Sequence, residues 1–168
     1  MALLVGLFSL QGCGTAETTD EIPAVTGFRL SEYLGDWYEI ARLPHKFERG
    51  LMEVQASYTL RPDGKVQVVN SGIKEGTAKT ITGIAKFKDK ETTGCLRVSF
   101  FRPFYGDYKI IYLDPGYSLS IVTSSTKDYL WILARTKKLT PDKMEFCLKK
   151  IRDWNFDVAK LEYPAQSD

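Results

Sequence analysis

The chain has 168 residues, 43% of them hydrophobic and 26% charged, which suits one globular domain with a sizeable core. Its formal net charge of +2 and the lack of a basic run argue against a nucleic-acid-binding protein. No stretch approaches the roughly 20 apolar residues of a membrane-spanning helix.

The N-terminal segment resembles a bacterial lipoprotein signal. Residues 1–12 carry no charge, and a short apolar run leads to Gly12 and Cys13. A small residue before a thiol that receives diacylglycerol is typical of such signals. We therefore predict a signal peptide over 1–12, whose true start lies upstream because no Lys or Arg precedes the apolar run, and lipidation of Cys13. An ordinary secretory signal or an apolar terminus is the alternative.

The segment after the signal predicts a flexible tether. Residues 13–26 are rich in Thr, Glu, Ala and Pro, a composition that favours an unstructured chain. Residue 14 is glycine rather than aspartate, which in such lipoproteins implies sorting to the outer membrane. The folded domain is expected to span 27–168.

The domain opens with a strand around a tryptophan. Gly35 ends a turn before Trp37, and Pro44 ends the pairing. Along this strand Trp37, Glu39 and Ala41 share one face. Both faces carry apolar bulk, so we expect the strand to be covered on each side.

Seven more strands follow at hairpin spacing. Turn sequences that contain Gly, Pro, Asp or Ser separate them. The predicted strands are 53–60, 65–70, 81–88, 95–101, 107–113, 117–123 and 129–136. Short turns between eight strands predict an all-β, up-and-down antiparallel arrangement.

One amphipathic helix follows the strands. Thr140 provides an N-cap and Pro141 suits the first helical position. The apolar face is formed by Met144, Cys147, Leu148 and Ile151. A single such helix must pack on the outside of the sheet, and 156–163 is predicted as a final short strand or extended tail.

Lipidation of Cys13 leaves Cys95 and Cys147 as the remaining cysteines. One is predicted on a strand and the other on the helix, with no sequence feature that pairs them. We predict two buried free thiols, and a disulfide in an oxidising periplasm is the alternative.

Three blocks of the sequence resemble the lipocalin family. Gly35 and Trp37 form the first, 112–117 is an acidic turn followed by tyrosine, and 129–136 contains Arg135. The resemblance implies an eight-stranded antiparallel up-and-down barrel with one C-terminal helix packed outside. It also implies that Arg135 lies across Trp37 at the closed end, where both form the barrel floor with Gly35.

Two segments, 34–44 and 98–106, resemble more narrowly the bacterial outer-membrane lipocalins, which are relatives of apolipoprotein D. This resemblance implies a lipid-anchored outer-membrane protein with its barrel in the periplasm. It does not account for the pair Cys95 and Cys147.

Strand parity predicts the side chains inside the barrel. Lys109 must face water, so its neighbours along the strand face inward, and the exposed Arg97 orients its own strand in the same way. The predicted ligand-binding residues are Val54, Ala56, Tyr58, Val68, Asn70, Ala85, Phe87, Phe100, Tyr108, Ile110, Tyr112 and Trp131. An eight-stranded barrel can enclose one small ligand, although filling of the core is the alternative for each ring.

We expect a protein that binds a fatty acid, a lysophospholipid or a similar hydrophobic ligand for storage, transport or envelope maintenance. An envelope scaffold or partner-binding protein with a filled barrel is the first alternative, and a lipid-modifying enzyme that uses Cys95 is the second. The predicted partners are this ligand and the outer membrane, and nucleic acid is not among them. The sequence does not distinguish a monomer from a homodimer.

No catalytic residue, metal or cofactor is predicted. His45 is the only histidine and falls in a polar loop, where we expect it to be solvated. The sequence has no metal-ligand spacing, phosphate-binding glycine loop or nucleophile elbow.

Overall fold

The computed structural model describes residues 16–167. The predicted signal peptide and the predicted lipidation site, Cys13, lie outside the described residues and stay predictions. Within residues 16–167 no helix is both long enough and apolar enough to span a bilayer.

Eight antiparallel strands close into one barrel, as predicted. Each strand pairs with the next along the chain, and the first pairs with the last. The strands are β1 (Gly35–Arg42), β2 (Met52–Leu60), β3 (Val66–Lys74), β4 (Thr77–Phe87), β5 (Cys95–Phe101), β6 (Phe104–Leu113), β7 (Leu119–Thr123) and β8 (Leu130–Ala134). Closure pairs every strand on both sides, so the sheet has no free edge.

The observed strands differ most from the predicted ones at the hairpin between β3 and β4. The segment 71–80, which lies between two predicted strands and is expected to be a connection, continues both strands up to a tight turn at Glu75 and Gly76. Both turn residues have positive φ, at 50° and 72°. The glycine composition therefore marks a two-residue turn rather than a long loop.

Two helices and a short 3₁₀ turn complete the part of the chain that the structure describes. The helix α2 (Pro141–Asp153) packs outside the barrel, and Cys147 and Ile151 on its predicted apolar face are buried. The short helix α1 (Leu30–Tyr33), which the sequence did not predict, precedes β1. The segment 156–163, predicted as a final short strand or extended tail, is not a strand, because it forms a 3₁₀ turn (Val158–Lys160) and one isolated bridge. The bridge joins Glu162 to Arg42, at the end of β1 that β2 does not pair with.

Residues 17–26 lie along the outside of the barrel rather than forming a free tether. Thr18 forms a bridge with Thr126, and the Val25 amide donates to the carbonyl of Ile110 at 2.9 Å. Ile22 is only 2% exposed. The overall polar composition of this segment concealed the few apolar side chains that hold it on the barrel.

Apolar side chains form two cores, one inside the barrel around Trp37 and one between the barrel and α2. Cys147 belongs to the outer core, and burial raises the pKa of its thiol to about 11. Both Cys95 and Cys147 are free, as predicted, but Cys95 is only partly buried.

Candidate ligand-binding cavity

A cavity of about 890 Å³ occupies the barrel interior. It reaches the end of the barrel where the loops after β1, β3, β5 and β7 lie, which we call the open end. Eight of the predicted ligand-binding residues line it: Val54, Ala56, Tyr58, Val68, Asn70, Phe100, Tyr108 and Trp131. Its volume lies within the range of about 300–1,000 Å³ that is typical of small-molecule sites.

Four predicted ligand-binding residues do not line the cavity. Ala85, Phe87 and Ile110 do face the barrel interior, but they belong to the core around Trp37 at the closed end. Side chains fill that part of the barrel. Strand parity could not distinguish such a filled core from a pocket, because the side chains face inward in both.

Tyr112 lies outside the barrel. Its ring centroid is 5.1 Å from that of Phe146 on α2. A β-bulge between Ile110 and Tyr112 shifts the register against β7, so residues after the bulge change faces. The inward orientation that we predicted from the exposure of Lys109 is therefore correct for Tyr108 and Ile110 and wrong for Tyr112.

Arg135 and Trp37 are in contact at the closed end. The guanidinium carbon lies 4.1 Å from the centroid of the indole, which is fully buried. Arg135 also donates to the carbonyls of Asp36 at 2.6 Å and Leu34 at 2.8 Å, and the Trp37 indole N–H donates to the Tyr33 carbonyl at 2.8 Å. The arginine therefore stabilises the floor through backbone hydrogen bonds that the sequence did not reveal.

Gly35 joins α1 to β1 beside this arginine. Its φ is +91°, a conformation that other residues rarely adopt, and a Cβ there would lie 3.4 Å from Nη1 of Arg135. Glycine therefore lets the chain turn into the barrel close to the guanidinium.

Three tyrosine hydroxyls meet between the floor and the cavity. The Tyr108 hydroxyl lies 2.7 Å from that of Tyr33 and 2.9 Å from that of Tyr58. Burial raises the pKa of Tyr33 to about 12 and raises the pKa of Tyr58 and of Tyr108 as well. The deep end of the cavity is therefore neutral, with its hydroxyls bonded to one another.

Arg42 and Glu39 form a buried pair on β1, although strict strand alternation would place the two side chains on opposite faces. Nη1 of Arg42 donates to Oε1 of Glu39 at 2.8 Å, and these residues are 2% and 3% exposed. Strand alternation already places Glu39 on the inner face with Trp37, and the register shift between Glu39 and Ala41 turns Arg42 to that face as well. Burial, with the Glu48 carboxylate as a second cause, raises the pKa of Glu39 to about 8.

The loop 43–51 folds over the cavity and is tied to the barrel wall. Oε2 of Glu48 accepts from the Trp131 indole at 3.0 Å and lies 2.7 Å from Nε2 of His45. Burial opposes ionisation of Glu48, but its bonds with His45 and Trp131 hold the pKa below its ordinary value. The prediction of a solvated His45 is wrong, since its side chain is 9% exposed and lines the cavity.

The lipid-modifying alternative gains no support from the position of Cys95. This residue is not among those that line the cavity, and burial raises the pKa of its thiol, which disfavours the reactive thiolate. Within residues 16–167, no group of three or more His, Cys, Asp or Glu side chains could hold a metal ion.

Comparison with known proteins agrees with this architecture. The family model for the lipocalin-like domain matches residues 28–166. The chain belongs to the lipocalin family. The outer membrane lipoprotein Blc of Citrobacter freundii is 39% identical to this lipocalin, over 99% of the chain and 95% of the relative. Blc of Vibrio cholerae is 41% identical over 94% of the chain and 92% of the relative.

The fold of this lipocalin also recurs in a distant solved structure. Insecticyanin from the tobacco hornworm Manduca sexta superposes with a TM-score of 0.75 at 20% identity, covering 92% of this chain and 89% of its own. This lipocalin is a binding protein of the type that takes small hydrophobic ligands, and it is not an enzyme. The outer-membrane localisation predicted from the sequence is confirmed by relatives that are named outer membrane lipoproteins.

Proposed function

We propose that this lipocalin holds one single-chain amphiphile, a fatty acid or a lysophospholipid, for storage, transport or envelope maintenance at the outer membrane. The observation that carries the proposal is the cavity of about 890 Å³, which is open at one end and lined largely by apolar side chains and rings. A barrel that served only as a scaffold would have no need to keep such a volume unfilled.

The distribution of polar groups supports an orientation for this ligand. Val54, Val68 and Leu133 line the interior, whereas Lys74 and Lys79 line the part formed by the β3–β4 hairpin at the open end. The acyl chain therefore enters first and the head group stays at the open end. The deep tyrosine hydroxyls are neutral and mutually bonded, so they do not provide a site for a charged head group.

The length of the acyl chain should control affinity. Each buried methylene contributes about 0.8 kcal/mol, so each added carbon should tighten binding about fourfold until the cavity is full. Saturated fatty acids of increasing length should be titrated against tryptophan fluorescence, to which Trp131 in the cavity wall contributes. Chains of about 14 to 18 carbons should reach roughly micromolar affinity after ordering costs.

Two substitutions on one strand provide the matched control for this titration. Ala56→Phe should place a ring inside the cavity and weaken binding, whereas Thr59→Phe, on the exposed face of β2, should leave it unchanged. Saturable binding without any dependence on chain length, or equal binding by both variants, would contradict the proposed pocket. An enzyme would convert the lipid during the titration, and a scaffold would give no saturation.

We further propose that the protein is anchored through three acyl chains on Cys13. One acyl chain gives only marginal membrane binding, whereas several hold a protein almost permanently. The variant Cys13→Ser should therefore disappear from the outer-membrane fraction of cells, while Cys95→Ser should remain there. Recovery of both variants in the outer membrane would show that the lipoprotein signal has been misread.

A further inference from the structure

The most exposed large apolar side chains of the described residues cluster at the open end. Phe104 is 77% exposed, Phe47 is 68% exposed and Phe101 is 67% exposed, and all three line the entrance to the cavity. Phe47 lies in the loop after β1, whereas Phe101 ends β5 and Phe104 begins β6, so no single strand pattern accounts for all three. Exposed rings that surround one opening are typical of an interaction site rather than of ordinary surface.

The same end of the barrel carries basic side chains beside the exposed rings. We define the rim as the segments 43–51, 74–79, 101–105 and 124–129. These segments contain six Lys or Arg against three Asp or Glu, and one of the three, Glu48, is turned into the cavity. The N-terminal segment beside the rim adds Glu17 and Glu21, which pair with Lys127 at 3.2 Å and 3.1 Å. The rim therefore presents basic side chains around the entrance, although Lys127 is already paired within the protein.

The chain reaches the barrel at this rim. The Lys127 amide donates to the Glu17 carbonyl at 2.8 Å, and Thr18 forms a bridge with Thr126. Cys13 precedes Glu17 by four residues, a separation that can span at most about 14 Å. A lipid on Cys13 would thus hold the open end, and not the closed end, beside the membrane surface.

We propose that the rim docks on the lipid bilayer, with its phenylalanines in the interfacial region and its basic side chains at anionic head groups. This proposal rests on the proposed lipidation of Cys13. The cavity then opens toward the leaflet, so a single-chain lipid moves between membrane and barrel without crossing bulk water. Lys46, whose Nζ lies 5.2 Å from the Phe47 ring centroid, shows how the rim combines a ring with a cation as interfacial segments do.

Depth-dependent quenching tests this orientation in the lipidated protein. The variants Phe104→Trp at the rim and Leu60→Trp at the closed end each place one tryptophan at an exposed apolar position, 77% and 52% exposed in the wild type. Each should be reconstituted in vesicles of phosphatidylethanolamine and phosphatidylglycerol whose acyl chains carry bromine. The tryptophan of Phe104→Trp should lose about half of its added emission, and that of Leu60→Trp should lose none.

The outcomes separate this proposal from the proposed function. No ligand is added, so quenching does not depend on fatty-acid binding, and a failed fatty-acid titration would leave the quenching result unaffected. Equal quenching of the two variants, or none in Phe104→Trp, would overturn the docked orientation. A concentration-dependent dimer of the Cys13→Ser chain that Phe104→Ser disrupts and Leu60→Ser does not would assign the rim to a second copy and would equally overturn it.

Discussion

Replacement of Arg42 by methionine is expected to lower the free energy of unfolding by about 3–5 kcal/mol. Arg42 donates to the Glu39 carboxyl at 2.8 Å and to the Glu48 carbonyl at 2.8 Å, and it pairs with Glu162 at 3.2 Å. Methionine fills much of the volume but leaves the buried Glu39 carboxyl and the Glu48 carbonyl without this donor. Denaturant unfolding of the wild type and the variant measures the difference directly.

The free energy of unfolding lost in Arg42→Met should increase as the pH rises above about 8. Burial raises the folded-state pKa of Glu39 to about 8, so its contribution to stability is present at low pH and is lost as the pH rises through that value. Without the Arg42 guanidinium the pKa of Glu39 rises further, so the variant continues to lose stability above the pH at which the wild type has stopped losing it. Adding Glu39→Gln should remove this pH dependence.

An exposed pair provides the comparison for Arg42. Arg29 pairs with Glu32, and their side chains are 58% and 44% exposed. Arg29→Met should change stability by less than about 1 kcal/mol, because solvent screens such a pair. A comparable loss from both substitutions, or a pH-independent loss in Arg42→Met, would mean that the buried pair does not stabilise β1 and the loop 43–51 as described.

Replacement of Trp37 by alanine is expected to cost about 3–5 kcal/mol, because the indole is fully buried in the inner core. Arg135→Ala should cost less, through a lost cation–π contact of about 0.5–2 kcal/mol and lost hydrogen bonds to backbone carbonyls. In the double variant the two losses should not add, since the guanidinium packs on the indole at 4.1 Å. Unfolding free energies of all four proteins give the coupling.

The control for this cycle is Lys137 above Tyr38, where the ammonium lies 6.0 Å from the ring centroid at the surface. Lys137→Ala should change stability by less than about 0.5 kcal/mol. Strict additivity of Trp37→Ala and Arg135→Ala would contradict the description of the floor as one unit.

The sequence by itself determined the barrel, because local signals there agree with the global fold. Turn residues separate alternating strands, and the helix has a cap, an N1 proline and one apolar face. Trp37 and Arg135 could be placed together through their sequence blocks. Eleven of the twelve predicted residues face the barrel interior and eight of them line the cavity, since side chains alternate between the two faces along the parts of the strands that carry them.

Only the tertiary structure decided which way the side chains face beyond the bulges of β1 and β6. In β1 and β6 an additional isoleucine, Ile40 or Ile111, is buried in the outer core that α2 covers. Because isoleucine can be buried on either face of these strands, the alternation of residue types does not reveal where a bulge interrupts the strand. After each bulge the faces exchange, and for that reason Arg42 lies inside the barrel and Tyr112 outside.

The polar segments depended on tertiary structure in the same way. The loop 43–51 and residues 17–26 have the composition of solvated chain, yet both are held by long-range hydrogen bonds to the barrel. Composition reports the average preference of a segment for water. It does not report the partners that a closed barrel presents to His45, Glu48 or Thr18, and only the folded chain brings those partners within reach.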